Sequence, residues 1–211
     1  EDCYVNGIWA NGETYTGGVG QAAIVGKDLN ININKDNAEQ KLAYASGIGI
    51  ANGAKVDLSG DLKMHIETSD EIEGLTLRGS NNAFNTNSFA LYAKTTAGNN
   101  AIIGINGGAY GEQDNNINIA DSTVIRLEGK NDVTGIQFAS ESSQGKFGAT
   151  TIDIASVSDS SSLEVTGIKQ NDSQAQYDSL DIKADALDGI TTGMDVYGAA
   201  CAIVDKKIGR A

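Results

Sequence analysis

Two aspartates, Asp153 and Asp181, occupy the same place in a recurring apolar-Asp-apolar triplet, and carboxylates repeated in this way are candidate ligands for calcium. Aligning the recurring segments adds Asn32, Asp57 and Asn118 to one outward column. If equivalent strands stack about 4.8 Å apart, the two carboxylates repel each other unless solvent or a cation lies between them. The pattern allows a calcium site, although an exposed solubilising face with stacked asparagines is the simpler interpretation.

A second acidic group, Asp70, Glu71 and Glu73, indicates a turn that could also bind calcium. A solvated loop explains these three residues as well. Calcium is the one cofactor that the sequence suggests, and the expectation is that the protein has none.

Four aromatic residues lie in the least regular part of the chain: Phe84, Phe89, Tyr92 and Tyr110. Together they could form a patch on which the rings of a glycan stack, or they could fill the core. They are the candidate ligand-binding residues.

No residues are predicted to be catalytic. The single histidine, His65, alternates outward with Lys63 and is expected to be a surface side chain. The sequence contains no G-x-S-x-G, phosphate-binding loop or HExxH motif. A polysaccharide lyase or hydrolase built on aligned carboxylates is the enzymatic alternative, but none of the three arginines is placed to form a catalytic pair.

Composition excludes some partners. A net charge of −13, from 15 basic and 28 acidic residues, repels phosphate backbones and anionic lipid, so binding to nucleic acid or to a membrane surface is not expected. No apolar stretch approaches the roughly 20 residues needed to span a bilayer, so direct membrane insertion of these residues is not expected either. The 26 glycines and the absence of proline predict short strands joined by tight turns. The two cysteines, Cys3 and Cys201, lie near opposite ends and are not expected to pair in a straight rod.

The elements that position these residues are short strands with period-two alternation of apolar and polar residues. The strands recur in one order: an apolar-Asn/Asp-apolar triplet, a second strand, and then Gly-apolar-x-apolar. Clear units span residues 54–77, 116–138 and 151–169, with related segments at 30–50, 88–105 and 179–190.

This repeat predicts an all-β fold, a right-handed parallel β-helix of about six three-strand coils. Residues 1–29 are expected to cap the stack, 30–197 to form the solenoid and 198–211 to form an end segment. Short helices are the alternative at 37–45 and from residue 199.

The Gly-Ile and Asn-Ile-Asn-Ile units, the richness in Gly, Asn, Ser and Thr, and the acidic balance resemble passenger regions of Gram-negative autotransporter and filamentous-haemagglutinin-type adhesins. The resemblance covers roughly residues 30 to 197. A shorter segment, Asn100–Asn106, is similar to the head repeats of trimeric autotransporters.

The resemblance implies a secreted or surface-exposed bacterial rod that mediates adhesion or aggregation through its faces and loops. Its partners would be a host cell, a matrix or glycan receptor, or another copy of itself. The family's membrane barrel has no counterpart among these residues. A purely structural stalk is the remaining alternative.

Overall fold

The computed structural model describes residues 3–13, 22–35, 42–69, 71–96, 100–109, 111–139, 141–158 and 160–203. Every regular element in these ranges is a β-strand. The strands are β1 (Cys3–Asn11), β2 (Ala23–Gly26), β3 (Leu29–Lys35), β4 (Leu42–Ala51), β5 (Lys55–Leu58), β6 (Asp61–Thr68), β7 (Glu71–Arg78), β8 (Ala83–Thr95), β9 (Ile102–Asn106), β10 (Asn116–Gly129), β11 (Val133–Phe138), β12 (Gln144–Ser156), β13 (Glu164–Asn171), β14 (Gln174–Ala186), β15 (Ile190–Tyr197) and β16 (Ala200–Ile203).

The chain winds between two parallel sheets. One sheet, called here the first sheet, has the order β1-β4-β7-β9-β11-β13-β15. The second sheet has the order β16-β14-β12-β10-β8-β5-β2, with β6 between β3 and β8. Each first-sheet strand passes into the second sheet and the chain then returns one level further on, which makes a parallel β-solenoid, matching a right-handed β-helix.

Alternate side chains on both sheets point into one continuous core. Isoleucines dominate it, and equivalent residues stack from coil to coil, as Ile105, Ile136 and Ile168 do in the first sheet. All three are fully buried. Stacked β-branched side chains suit this interior because they pack well on a pleated surface.

The predicted three strands per coil correspond to one first-sheet strand and two halves of a second-sheet segment. In two coils the halves are separate, as β2 and β3 and then as β5 and β6; in later coils they are one long strand such as β10. The pairing of β10 with β8 shifts between Ile119 and Ser122, which marks the bend between its halves. The predicted unit at 54–77 is confirmed as β5, β6 and β7.

The alignment of first-strand positions is wrong for part of the repeat. Val56 and Ile117 lie in the first half of the second sheet, where both flank Phe84. Ile31 and Ile152 lie in the second half, beside Met64 and Ile125 respectively. The same apolar-polar-apolar triplet occurs in both halves because both have one buried and one wet face, so the triplet does not distinguish them.

A column of glycines runs along the first sheet at the equivalent position of every coil: Gly7, Gly47, Gly74, Gly104, Gly135, Gly167 and Gly193. A Cβ added to Gly104 would lie 2.5 Å from the carbonyl oxygen of Gly135 and 2.9 Å from the side chain of Ile125. The Gly-apolar step of the sequence repeat therefore marks a close approach between neighbouring coils.

The described residues on either side of position 29, where a cap is predicted to end, lie in the same two sheets. β1 pairs with β4 and β2 pairs with β5, so the described part of 1–29 continues both sheets. At the other end, β16 pairs with β14 beyond residue 197. The helical alternatives are wrong where they are described, because 42–45 lies in β4, 199 has no regular structure and 200–203 lies in β16. Residues 37–41 and 204–211 lie outside the described ranges.

None of the described segments is a helix that could cross a bilayer.

Candidate binding faces

The outer side of the second sheet carries ladders of side chains, one residue per coil. The most varied of them, called here the mixed ladder, lies on the second halves of the strands. Its members are Asn32, His65, Tyr92, Arg126, Asp153 and Lys183. Parallel pairing about 4.8 Å apart brings aromatic, cationic and amide groups into one row along the rod.

His65 and Tyr92 form the centre of the mixed ladder. Their ring centroids are 4.7 Å apart and the planes are tilted by 36°. The imidazole Nε2 lies 3.2 Å from Oε1 of Glu67, which points outward on the same strand. His65 is therefore outward-facing, as predicted, and the structure adds a ring partner and a carboxylate that the sequence did not reveal.

A shallow groove of about 530 Å³ follows these rings across four neighbouring coils. Its outward-facing rim includes Asn30, Lys63, Tyr92 and Arg126. Among the described residues neither Lys63 nor Arg126 forms an ion pair, so two cations without an ion-pair partner line a groove on a protein of net charge −13. Side-chain amides, a tyrosine ring and unpaired cations are groups that bind sugar hydroxyls, sugar faces and carboxylates respectively.

The predicted acidic column does not form. Asp153 has Arg126 on one side and Lys183 on the other, and its Oδ1 lies 3.4 Å from the Lys183 ammonium. Asp181 lies one column away, beside Thr151. The two carboxylates are therefore separated. β12 and β14 pair without a register shift, and in this pairing the apolar-Asp-apolar triplet of β14 lies two residues out of line with that of β12.

The other members of that predicted column also separate. Asp57 pairs with Asn85, which in turn pairs with Asn118, in the first half of the second sheet. Asn32 pairs with His65 in the second half. No group of three or more His, Cys, Asp or Glu residues that could hold a metal ion occurs among the described residues.

The second acidic group is mostly part of β7 rather than a loop. Glu73 is only 5% exposed, and its carboxylate accepts hydrogen bonds from the Tyr44 hydroxyl and, at 3.0 Å, from Nδ2 of Asn106. The Arg78 guanidinium lies 3.4 Å from the same carboxylate and 4.9 Å from the centroid of the Tyr44 ring. Glu73 thus contributes to a closed network instead of an open metal site; Asp70 lies outside the described residues.

Burial affects the titration of this network. The pKa of Glu71 is raised by burial and, to a lesser extent, by the neighbouring charge of Glu73. The pKa of Tyr44 is also raised, first by burial and then by Glu73, so its hydroxyl remains a donor. Tyr44, Glu73 and Arg78 therefore form a structural cluster. The sequence does not predict it, because Tyr44 meets the other two residues only through the pairing of β4 with β7.

The predicted aromatic patch divides between core and surface. Phe84 and Phe89 are buried in the core and meet edge to face, with centroids 6.4 Å apart. Of the three candidates that the structure describes, Tyr92 alone faces outward, where it lines the groove. Tyr110 lies outside the described residues. Core filling therefore accounts for two of the four candidates.

A second shallow groove, of about 470 Å³, lies on the first halves of the second-sheet strands. Side-chain amides dominate its outer surface: Asn116, Asn118, Gln144, Gln174 and Gln176. Amides both donate and accept hydrogen bonds, so this surface can also bind sugar hydroxyls, but it has no aromatic ring. Cys201 lines one end as a free thiol, and burial raises its pKa.

No protein-family model, curated protein or solved structure matched this chain.

Proposed function

We propose that this chain is a rigid, surface-exposed or secreted rod that mediates adhesion by binding a glycan along the outer side of its second sheet. The observation that supports it is the groove around Tyr92, in which an aromatic ring, two side-chain amides and unpaired cations share one exposed surface. Extended glycans repeat along their length, and a groove that crosses four coils can contact several sugar units.

Charge favours an acidic glycan. Lys63 and Arg126 lie on the groove and form no ion pair among the described residues, so they are available to a carboxylate or sulfate. Binding of this kind is weak for each contact, and many copies on one cell surface would strengthen it through avidity.

A glycan array with the purified chain tests the proposal, followed by titration with the glycans that bind. Arg126→Ala is expected to weaken binding of acidic glycans roughly tenfold or more, because a hydrogen bond to a charged group contributes about 1.5 to 3 kcal/mol. Tyr92→Ala is expected to weaken both acidic and neutral binding. Lys169→Ala removes a cation from the first sheet and serves as the matched control, since it is remote from the groove.

The same experiment separates the alternatives. Shortening of a polysaccharide during incubation would favour a lyase or hydrolase, and an absence of saturable binding on glycans, matrix and cells would favour a structural stalk. Equal loss of binding in Arg126→Ala and Lys169→Ala would contradict the groove as the binding site.

A further inference from the structure

The two cations of the groove that have no ion-pair partner lie on strands two coils apart. Lys63 is on β6 and Arg126 is on β10, and β8 pairs with both strands between them. Neighbouring strands are about 4.8 Å apart, so the two residues are separated by roughly 10 Å along the rod. All three strands are internal, because β3 pairs with β6 on one side and β12 with β10 on the other. The spacing of the cations is therefore fixed by the middle of the stack.

Lys63 and Arg126 stand in neighbouring outward columns of the second sheet. Lys63 shares its column with Ala90 and Val124. Arg126 is two residues further along β10 than Val124, and it pairs with Tyr92. Positions two residues apart on a strand are separated by roughly 7 Å, which long lysine and arginine side chains can bridge. Both cations therefore reach a ligand that lies along the rod between the two columns.

The coil between the cations presents a ring and no available charge. β8 contributes Ala90 and Tyr92 to the groove. Its lysine, Lys94, lies one column further out, where its ammonium is 2.6 Å from Oε1 of Glu128 and its strand neighbour on the other side is Glu67. An anionic group over β8 would lose water without gaining a cation and would have two carboxylates nearby. The face of a neutral sugar, in contrast, packs well on a tyrosine ring.

We propose that the groove binds a glycan with an anionic group on every second sugar, an inference that rests on the acidic-glycan function proposed above. In an extended β-linked glycan, each sugar advances the chain by about the spacing of one coil, and sugars two apart present the same side. One anionic group then binds Lys63, the following neutral sugar packs on Tyr92, and the next anionic group binds Arg126. The guanidinium donates two parallel hydrogen bonds to a carboxylate or sulfate, which fixes the register of the glycan.

Oligosaccharides with different charge spacing test this inference by isothermal titration calorimetry. A hyaluronan tetrasaccharide has a carboxylate on every second sugar, and a β-1,4-linked glucuronic acid tetrasaccharide has one on every sugar. We expect the hyaluronan tetrasaccharide to bind roughly tenfold tighter although it has half as many carboxylates, because no charge is desolvated over Tyr92. Equal or tighter binding of the fully charged tetrasaccharide overturns the inference.

A carrageenan tetrasaccharide with one sulfate on every second sugar distinguishes the two kinds of anionic group. Binding of either alternating tetrasaccharide in preference to the fully charged one supports the inference, and the tighter of the two identifies carboxylate or sulfate as the preferred group. Binding of neither, while the fully charged tetrasaccharide binds, overturns it.

Chain length tests whether both cations are used at once. A hyaluronan disaccharide has one carboxylate and cannot reach both Lys63 and Arg126. We expect the tetrasaccharide to bind the unmodified chain roughly tenfold tighter than the disaccharide, and this gain to be lost in Arg126→Ala. The same gain in both proteins would mean that added length is responsible and would overturn the inference.

Moving one cation by a single coil tests the spacing within the protein. Lys63→Ala combined with Ala90→Lys keeps the net charge and shortens the separation from Arg126 to one coil. Affinity for the alternating tetrasaccharide that binds is expected to fall roughly tenfold or more. Preference over the fully charged tetrasaccharide should be lost or reversed, because a cation now lies at the middle sugar.

Lys169→Ala combined with Gln137→Lys is the matched control. It moves a cation by one coil on the first sheet, away from the groove, and is expected to bind like the unmodified chain. Circular dichroism of both double variants should be unchanged, since all four positions lie on outward faces of the sheets. Equal binding by the two double variants would overturn the inference.

Failure of this inference can be distinguished from failure of the proposed function. If acidic glycans bind through Tyr92 and Arg126 but the moved lysine changes nothing, the spacing is wrong and the glycan-binding function stands. If no acidic glycan binds to the unmodified chain, both proposals are overturned.

Discussion

Glu71 and Glu73 contribute to stability with opposite signs although they lie two residues apart in β7. Glu73 is buried among donors, with the Tyr44 hydroxyl, the Asn106 amide and the Arg78 guanidinium around its carboxylate. Glu71 is partly buried beside the charge of Glu73, and both effects raise its pKa. A carboxylate whose pKa is raised by folding destabilises the folded state while it is ionised, and protonation removes this cost.

Glu71→Gln is therefore expected to raise the free energy of unfolding at pH 7. As the pH falls through the raised pKa of Glu71, the unmodified protein takes up a proton and recovers this stability, so the difference between the two proteins shrinks. Urea unfolding at several pH values between about 4 and 8 measures the effect. A difference that grows toward low pH would contradict the assignment.

Glu73→Gln is expected to destabilise the fold at pH 7 by about 1 to 3 kcal/mol, because it weakens three polar contacts of a buried group. The same urea titration measures it, with Glu71→Gln as the isosteric control on the same strand. Equal effects of the two substitutions would mean that the network around Glu73 contributes nothing specific.

At the scale of single elements, two kinds of ladder hold the coils in register. The first is the glycine column of the first sheet, where neighbouring coils approach too closely for a side chain. The second is a polar ladder at the turns into the second sheet. There Oδ1 of the buried Asn115 accepts hydrogen bonds from the backbone N–H and the side chain of Asn82, at 3.1 and 2.9 Å.

Gly104→Ala is expected to destabilise the fold by about 1 to 3 kcal/mol or more, because its Cβ would overlap the Gly135 carbonyl and force the coils apart. Gly193→Ala is the matched control at the same column position. It is expected to be neutral or to stabilise by about 0.5 kcal/mol, since alanine restricts the unfolded chain and its Cβ meets no atom of the described residues within 4 Å. Thermal unfolding of both variants measures the contrast, and equal losses would contradict the steric explanation.

Asn115→Ala is expected to cost about 2 to 4 kcal/mol. It removes the acceptor for Asn82 and the donor to the Gly79 carbonyl at 2.9 Å, and buried polar groups left without partners are costly. Asn116→Ala, at the next and exposed position, is the control and should change stability by less than about 1 kcal/mol. Urea unfolding compares them, and similar losses for both would show that the ladder is not the cause.

At the scale of the whole molecule, each coil contacts only the coils next to it, so stability is expected to vary along the rod. Core residues of the central coils, such as Ile105, Ile125 and Ile136, are fully buried. In the last described coil, Met194 continues the column of Ile105 and Ile136 but is only partly buried.

Hydrogen exchange is expected to be slowest in β8 to β12 and fastest in β15 and β16. The backbone amides of the central strands are paired on both sides, whereas β15 has a described neighbour on one side only. Mass spectrometry of peptic peptides measures the gradient. Uniform protection along the described strands would contradict a stack in which each coil is stabilised by its neighbours.

The sequence by itself determined the parallel β-solenoid, because period-two strands and a Gly-apolar step recur at every coil and only stacked coils bury all of them. It also placed His65 outward. It could not determine which triplets stack on one another, since the first and second halves of the second sheet have the same apolar-polar-apolar pattern. Asp153 and Asp181 were therefore aligned with each other, whereas tertiary pairing places Lys183 beside Asp153.

Only the tertiary structure decided which polar side chains meet. The groove around His65, Tyr92 and Arg126 is assembled from strands separated by about thirty residues, and its composition depends on register rather than on any local motif. The same is true of Tyr44 and Glu73. Whether an aromatic residue such as Phe89 or Tyr92 packs inside or outside likewise follows from the register and pleat of its strand, which set the side of the sheet that each residue faces.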